Sequence, residues 1–220
     1  MKGKLIVIEG LDGSGKATQA KRLAAALQKQ EKQVREISFP NYDSDSSALV
    51  RMYLGGAFGA RPDDVNAYAA SCFYACDRYA SWRTKWQADY EAGTVILADR
   101  YTTSNAVHQC VKLPKEQWDS YLQWLFDFEY RLLGIPEPET VIYLQGDPAV
   151  SRALLRKRYA GDESKKDIHE KDADYQRRAK EAADYCAARL GWQTVPCIRD
   201  GAMRTPEDIH AQIAAVLRLK

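Results

Sequence analysis

Apolar residues along this chain gather in short runs, separated by stretches where they recur every three or four positions. The runs Leu5–Ile8, Val34–Phe39, Val95–Ala98, Val141–Leu144 and Thr194–Ile198 have the length of strands. Helical periodicity covers Gly15–Gln30, Ser46–Leu54, Asp63–Ala92, Thr103–Val111, Lys115–Leu133, Pro148–Tyr159, Ala173–Leu190 and Pro206–Leu217. Strands that alternate with helices predict an α/β fold, a five-stranded parallel sheet with helices on both faces in a three-layer sandwich. No repeat, low-complexity tract or linker breaks the pattern, so residues 1–220 read as a single domain. Ala160–Lys171 is polar and charged, and reads as a mobile loop between two helices. Near a ligand site such a loop is either a lid or a plain surface connection.

The segment after the first apolar run changes the picture most. Gly10-Leu11-Asp12-Gly13-Ser14-Gly15-Lys16-Ala17-Thr18 stands between a strand and a helical pattern, the context of a phosphate-binding loop of the P-loop NTPase type. Its glycines let backbone N–H groups turn onto a polyphosphate, and the new helix presents its positive end there. Lys16 is placed to reach the outer phosphates. Where such loops carry Ser or Thr to meet magnesium, this one has Ala17.

Composition narrows the field by exclusion. The chain has 45% apolar and 28% charged residues and a net charge of +2, ordinary for a globular protein and no signature of a nucleic-acid partner. No apolar run approaches the length of a membrane span, and Met1–Lys4 lead straight into the first strand without a secretory signal. The five cysteines are odd in number and contain no Cys-x2-Cys pair. Cys72 and Cys76, one turn apart in an apolar helix, read as buried free thiols, and a reducing cytoplasm is the simplest compartment.

In a doubly wound sheet, ligands gather beyond the carboxyl ends of the strands. Asp99-Arg100-Tyr101 follows the third strand, where an acid can hold magnesium or its water and an arginine can grip a phosphate. Phe39-Pro40 ends the second strand and by itself reads as turn chemistry. Tyr74 and Arg78 share a helix face; that spacing fits a core stripe as well as a ring stacked on a base. Arg152 and Arg156, with Arg158 on another face, lie beside the polar loop. They fit a solvated face as well as a closure over a transferring phosphoryl group.

Taken in order, Glu9-Gly10-Leu11-Asp12-Gly13-Ser14-Gly15-Lys16 with Thr18-Gln19, Phe39-Pro40, the Tyr74–Arg78 helix, Asp99-Arg100-Tyr101, Ser104 and Gln109 resemble the thymidylate kinase family. The resemblance implies ATP-dependent phosphorylation of dTMP to dTDP, with ATP and Mg2+ as cofactors and a phosphate loop over residues 9–18. It also implies a lid near 156–172. Lys16 and residues Gly10–Thr18 would hold the donor, and Asp12 would position the acceptor. Tyr74 would stack on thymine; Arg78 and Arg100 would hold the monophosphate, with Arg51 assisting. Phe39, Pro40, Ser104, His108 and Gln109 would complete the acceptor site. Asp99 would meet the metal, and Arg152 and Arg156 would be catalytic arginines. The same resemblance implies a cytoplasmic homodimer, formed through the helix Asp63–Ala92. Departures from the family pattern are Ala17, Asn41-Tyr42 in place of an acceptor-binding arginine, and Ile168 in the lid. They leave open a kinase for another deoxynucleotide or a deoxynucleoside, and a nucleotide-binding protein with vestigial catalysis.

Overall fold

The computed structural model describes residues 2–151 and 173–219. Five parallel strands form the sheet: β1 (Leu5–Glu9), β2 (Val34–Ser38), β3 (Val95–Asp99), β4 (Thr140–Gln145) and β5 (Gln193–Pro196), in the order β2-β3-β1-β4-β5. The α/β expectation is met, and each strand lies within a residue or two of its predicted run. β1 is buried at every position because its two faces feed different cores. Ile6 and Ile8 join Leu97, Ile142 and Leu144 on one side, whereas Leu5 and Val7 join Ile96 and Ala98 on the other. A strand buried on both faces has to be apolar throughout.

Helix α1 (Lys16–Lys29) places Leu23 and Leu27 on the first face, beside Ile209 and Ile213 of α8 (Pro206–Val216), the chain's last helix. The second face is covered by α3 (Ala67–Ser81), α4 (Gln87–Glu91) and the aromatic group Trp82, Trp86, Tyr90 and Tyr101. Beyond it, α5 (Thr102–Cys110), α6 (Trp118–Phe126) and α7 (Ala173–Leu190) pack on one another through Val107, Trp118, Tyr121, Tyr175 and Ala182. Between β2 and α3 lie α2 (Ala48–Leu54) and a 3-10 turn, Pro62–Asp64.

Three departures from the sequence reading have local causes. The predicted helix Asp63–Ala92 is broken by a π-helical stretch at Trp82–Trp86, where Trp82 and Trp86 are turned into the aromatic core. A second π-helical stretch, Asp127–Leu132, ends the predicted helix Lys115–Leu133 and points Glu129 inward. The predicted strand Thr194–Ile198 divides into β5 and a hairpin of β6 (Ile198–Arg199) and β7 (Ala202–Met203). Asp200 and Gly201 turn that hairpin with φ of 51° and 73°, the geometry favoured by an Asp-Gly pair. The cysteines also differ from expectation. All five are free thiols, yet Cys76 is exposed and Cys72 half-buried, because α3 turns Ala67, Ala70, Ser71, Ala75 and Arg78 inward instead.

Candidate active site

The phosphate loop joins β1 to α1, its Gly10 amide turned onto Glu9 and its Ser14 amide onto the Leu11 carbonyl. Gly15 caps α1 in a left-handed conformation, φ 91°, no side chain caps the helix, and no acid occupies its first turn. The positive helix end is therefore left for an anion. Gly13, φ 79°, is required for a second reason: a Cβ there would lie 2.9 Å from the Ser151 carbonyl oxygen. Lys16 is buried against this loop, its Nζ donating to the Leu11 carbonyl at 3.0 Å and standing 3.9 Å from Asp12. Burial, followed by the Arg100 charge, lowers its pKa. Ala17 and Thr18 both lie on the exposed side of the first turn.

Register brings the next groups together. Ile8 pairs with Asp99, so Glu9 and Arg100 leave the sheet side by side. Arg100 holds φ 67°, a conformation costly for a side chain of its size. Its Nη2 donates to Asp12 at 2.6 Å, its Nη1 donates to the Ser104 hydroxyl at 3.2 Å, and Glu9 lies 3.6 Å away. The buried Glu9 carboxylate accepts from the Thr103 and Ser104 hydroxyls at 2.7 Å each and from the Gly10 amide at 2.9 Å. Glu9 thus ties the phosphate loop to the start of α5. Sequence reasoning quoted it only as motif, although an acid closing a buried strand beside a phosphate loop was a usable signal.

Burial works to raise Asp12, but the charges of Arg100 and Lys16 hold its carboxyl well below the usual range. Burial also opposes the Arg100 charge, which Asp12, Glu9 and Asp99 nevertheless stabilise. For Asp99 burial wins, raising its pKa against Lys16 and Arg100.

A cleft opens beside this charged group. Asp12, Arg100 and Ser104 stand at one end, with Phe39 and Pro40, joined by a cis peptide, along a wall. Tyr74 lines the cleft and meets the edge of Tyr53 at 6.4 Å and 88°. It also packs against the core formed by Tyr53, Val65 and Ala70, so Tyr74 is at once a neighbour of the core and part of the cleft wall. Tyr42, Leu54, Tyr101 and Asn105 line the cleft too; sequence reasoning assigned none of them to the site, although Tyr42, Tyr101 and Asn105 stand within two positions of Pro40, Arg100 and Ser104. His108 sets Nε2 3.3 Å from Arg100 Nη1 and Nδ1 3.2 Å from the Tyr175 hydroxyl. Gln109 is fully buried on the cleft wall, and neither its amide oxygen nor its nitrogen has a hydrogen-bond partner among the described residues.

Two expected groups are placed differently. Arg78 gives Nε and Nη2 to Glu129, both at 2.6 Å, and its Nη1 stands 3.5 Å from the Tyr101 carbonyl. Its side-on edge is thereby committed to the buried carboxylate, and the residue lines the cleft. Arg51 is exposed and outside the cleft wall; its Nη1 holds the Tyr42 and Ser44 carbonyls and the Ser47 hydroxyl, bracing the loop before α2. Arg152, Arg156, Arg158 and the lid segment 156–172 lie outside the described residues.

A family model described as thymidylate kinase matches residues 8–213. The chain belongs to the thymidylate kinase family. A thymidylate kinase of Mycobacterium tuberculosis is 30% identical over 194 residues, covering 86% of this chain and 87% of the relative. A probable thymidylate kinase of Pyrococcus abyssi is 27% identical over 99% of this chain and 97% of its own length. The solved structure of thymidylate kinase from Candida albicans superposes with a TM-score of 0.73 at 22% identity, covering 99% of this chain and 92% of that one, which supports the fold. The match to the thymidylate kinase family model takes in the phosphate loop, the acid–arginine cluster and every residue of the cleft wall.

Proposed function

We propose that this protein transfers the γ-phosphoryl group of ATP to the 5′-phosphate of dTMP, giving ADP and dTDP, with residues 1–220 as one kinase domain. The observation that carries the reading is the continuity of the two halves of the site. Arg100, bonded to Asp12 inside the phosphate loop, also stands at the end of the cleft that holds Tyr74 and Gln109. A donor triphosphate on the loop and an acceptor nucleotide in the cleft would meet at that pair. The unpartnered Gln109 amide offers one donor and one acceptor, matching the adjacent N–H and C=O of a thymine edge. Arg78 Nη1 adds a donor for a base carbonyl, and Tyr74 supplies a ring face.

An acceptor phosphate oxygen would attack the γ-phosphorus in line as its bond to the β-bridging oxygen breaks, and ADP leaves with that oxygen. The protein's contribution is positioning and neutralisation of charge. Loop amides and Lys16 hold the donor, while Arg100 steadies the acceptor phosphate.

Mg2+ fits as a metal carried by the nucleotide. Ala17 offers no oxygen, and among the described residues no cluster of three acids, histidines or cysteines could cage an ion. The Asp99 carboxylate lies in the field of Lys16 and Arg100. Asp99 would hold the ion, which supplies charge neutralisation on the phosphates. A panel of dTMP, dUMP, dCMP, dGMP and thymidine with ATP tests the reading. dTMP is expected to have the highest kcat/KM, and Lys16→Ala to lose at least about 100-fold in kcat. Preference for thymidine, or near-parent turnover of Lys16→Ala, overturns it.

The protein is further proposed to be a cytoplasmic homodimer. Free thiols suit a reducing compartment, and no described helix is long and apolar enough to cross a membrane. Tyr68, Cys72, Cys76 and Tyr79 run along the outer side of α3, and Tyr68 packs on Trp124, which stacks on Phe128. That stripe suits a second copy of the chain. Light scattering should give twice the 24.9 kDa chain mass, falling to the monomer in Tyr79→Glu.

A further inference from the structure

Lys112 stands just past α5, outside the cleft wall, with no part in the chemistry described above. Its Nζ donates to the Tyr53 hydroxyl at 2.8 Å and to the Val65 carbonyl at 2.9 Å. Tyr53 is 1% exposed and donates in turn to the Pro62 carbonyl at 3.2 Å. Its ring presents the perpendicular contact to Tyr74. One ammonium therefore joins the end of α5 to α2 and to the chain entering α3. The first turn of α5 carries Ser104, and α3 carries Tyr74.

From this geometry we infer that Lys112 is a positioning residue for the acceptor base: by holding Tyr53, it sets the angle at which Tyr74 faces the cleft. A half-buried lysine is a costly way to join three segments. A purely mechanical join could use an apolar contact, whereas the ammonium fixes the Tyr53 hydroxyl to a point, and the Tyr53 ring then limits the tilt of Tyr74. The charged groups facing Lys112 are few. Asp63 comes from the 3-10 turn, and Arg178 of α7 approaches Asp63 at 3.5 Å while donating to the Val111 carbonyl at 2.9 Å. Burial, only partly opposed by Asp63, lowers the Lys112 pKa to about 8. The charge-assisted hold belongs to the ammonium, present below that pH; above it the neutral amine keeps only two weaker N–H donors. Acceptor binding should therefore weaken as pH rises through about 8.

This inference rests on the reading of Tyr74 as a wall of the base site, and the test separates the two. KM for dTMP, KM for ATP, kcat and Tm are to be measured for the parent, Lys112→Met, Lys112→Arg, Tyr53→Phe and Tyr74→Leu at pH 7 and pH 9. Lys112→Met is expected to raise the dTMP KM about fivefold at pH 7 with ATP KM and kcat within twofold. Its ratio to the parent should shrink toward one at pH 9, and Lys112→Arg should restore a low dTMP KM at pH 7. Tyr53→Phe, which keeps the ring and buried volume, should give a smaller rise of the same sign. An unchanged dTMP KM in Lys112→Met overturns the inference, as does a KM ratio independent of pH. If Lys112→Met does not fold, an unchanged dTMP KM in Tyr53→Phe overturns it. If Tyr74→Leu leaves the dTMP KM unchanged, the base-site reading itself fails, whatever Lys112 does.

Discussion

Ala17 is where a single atom is most conspicuously missing. It follows Lys16 on the exposed side of the first turn of α1, where a hydroxyl could meet a metal carried by the nucleotide. Neither Thr18, one position around the helix, nor any cluster of acids among the described residues replaces it. If the proposed Mg2+ dependence holds, Ala17→Ser is expected to lower the half-saturating Mg2+ concentration about threefold with kcat nearly unchanged, since the added hydroxyl would supply one more oxygen for the ion. Equal Mg2+ titrations for parent and variant would exclude a cost at this position. Gly13 lacks such latitude: the Ser151 carbonyl fills the space a side chain would need. An arginine cannot enter the loop there, so any further cation over the phosphates has to come from another segment.

Among the elements, α3 and the π-helical stretch at Asp127–Leu132 are joined by one buried ion pair. Arg78 is 1% exposed, Glu129 is fully enclosed, and Glu129 also accepts from Thr102 at 3.1 Å and Asn105 at 3.4 Å. Burial opposes the Arg78 charge, but Glu129 more than compensates and raises its pKa. Removing one partner leaves the other charge enclosed and unmatched. Glu129→Gln is expected to cost about 3–5 kcal/mol in urea unfolding, and Arg78→Met with Glu129→Met together to cost much less. Glu129 escaped the sequence reading because it stands 51 positions from Arg78 and is turned inward only by the widened helix. The periodicity of Lys115–Leu133 carried no trace of that widening. The exposed Cys76 and half-buried Cys72 of α3 escaped for a related reason: composition marks a helix as apolar, but the sheet decides which apolar residues it receives.

For the whole molecule, the charge cluster at the carboxyl ends of β1 and β3 links the site to acid stability. Asp12 titrates below the usual carboxylate range, because Arg100 and Lys16 outweigh burial. A carboxylate lowered on folding stabilises the protein above its unfolded pKa, and that contribution is lost as pH falls from about 4 through the folded value. Asp99, raised by burial, has the opposite sign, so the total change understates the Asp12 contribution. Comparing Tm of the parent with Asp12→Asn isolates it. The variant should be less stable at pH 6, and the gap should begin to narrow only below about pH 4; a gap independent of pH would contradict the assignment.

The sequence by itself determined the strands, the phosphate loop and the family, since each depends on neighbours in the chain: a buried run must be apolar, and a phosphate loop needs glycines before a helix. It also carried the groups at the strand ends, because a parallel sheet delivers them to one edge. Tertiary structure alone decided what those groups do to each other. Packing took two of Arg78's nitrogens for Glu129, sent Arg51 to brace a loop, and left Gln109 buried on the cleft wall without a partner among the described residues. It also set Lys112 beneath the ring that supports Tyr74. A polar group's role depends on which partners burial brings within hydrogen-bond reach, and those partners lie tens of residues away.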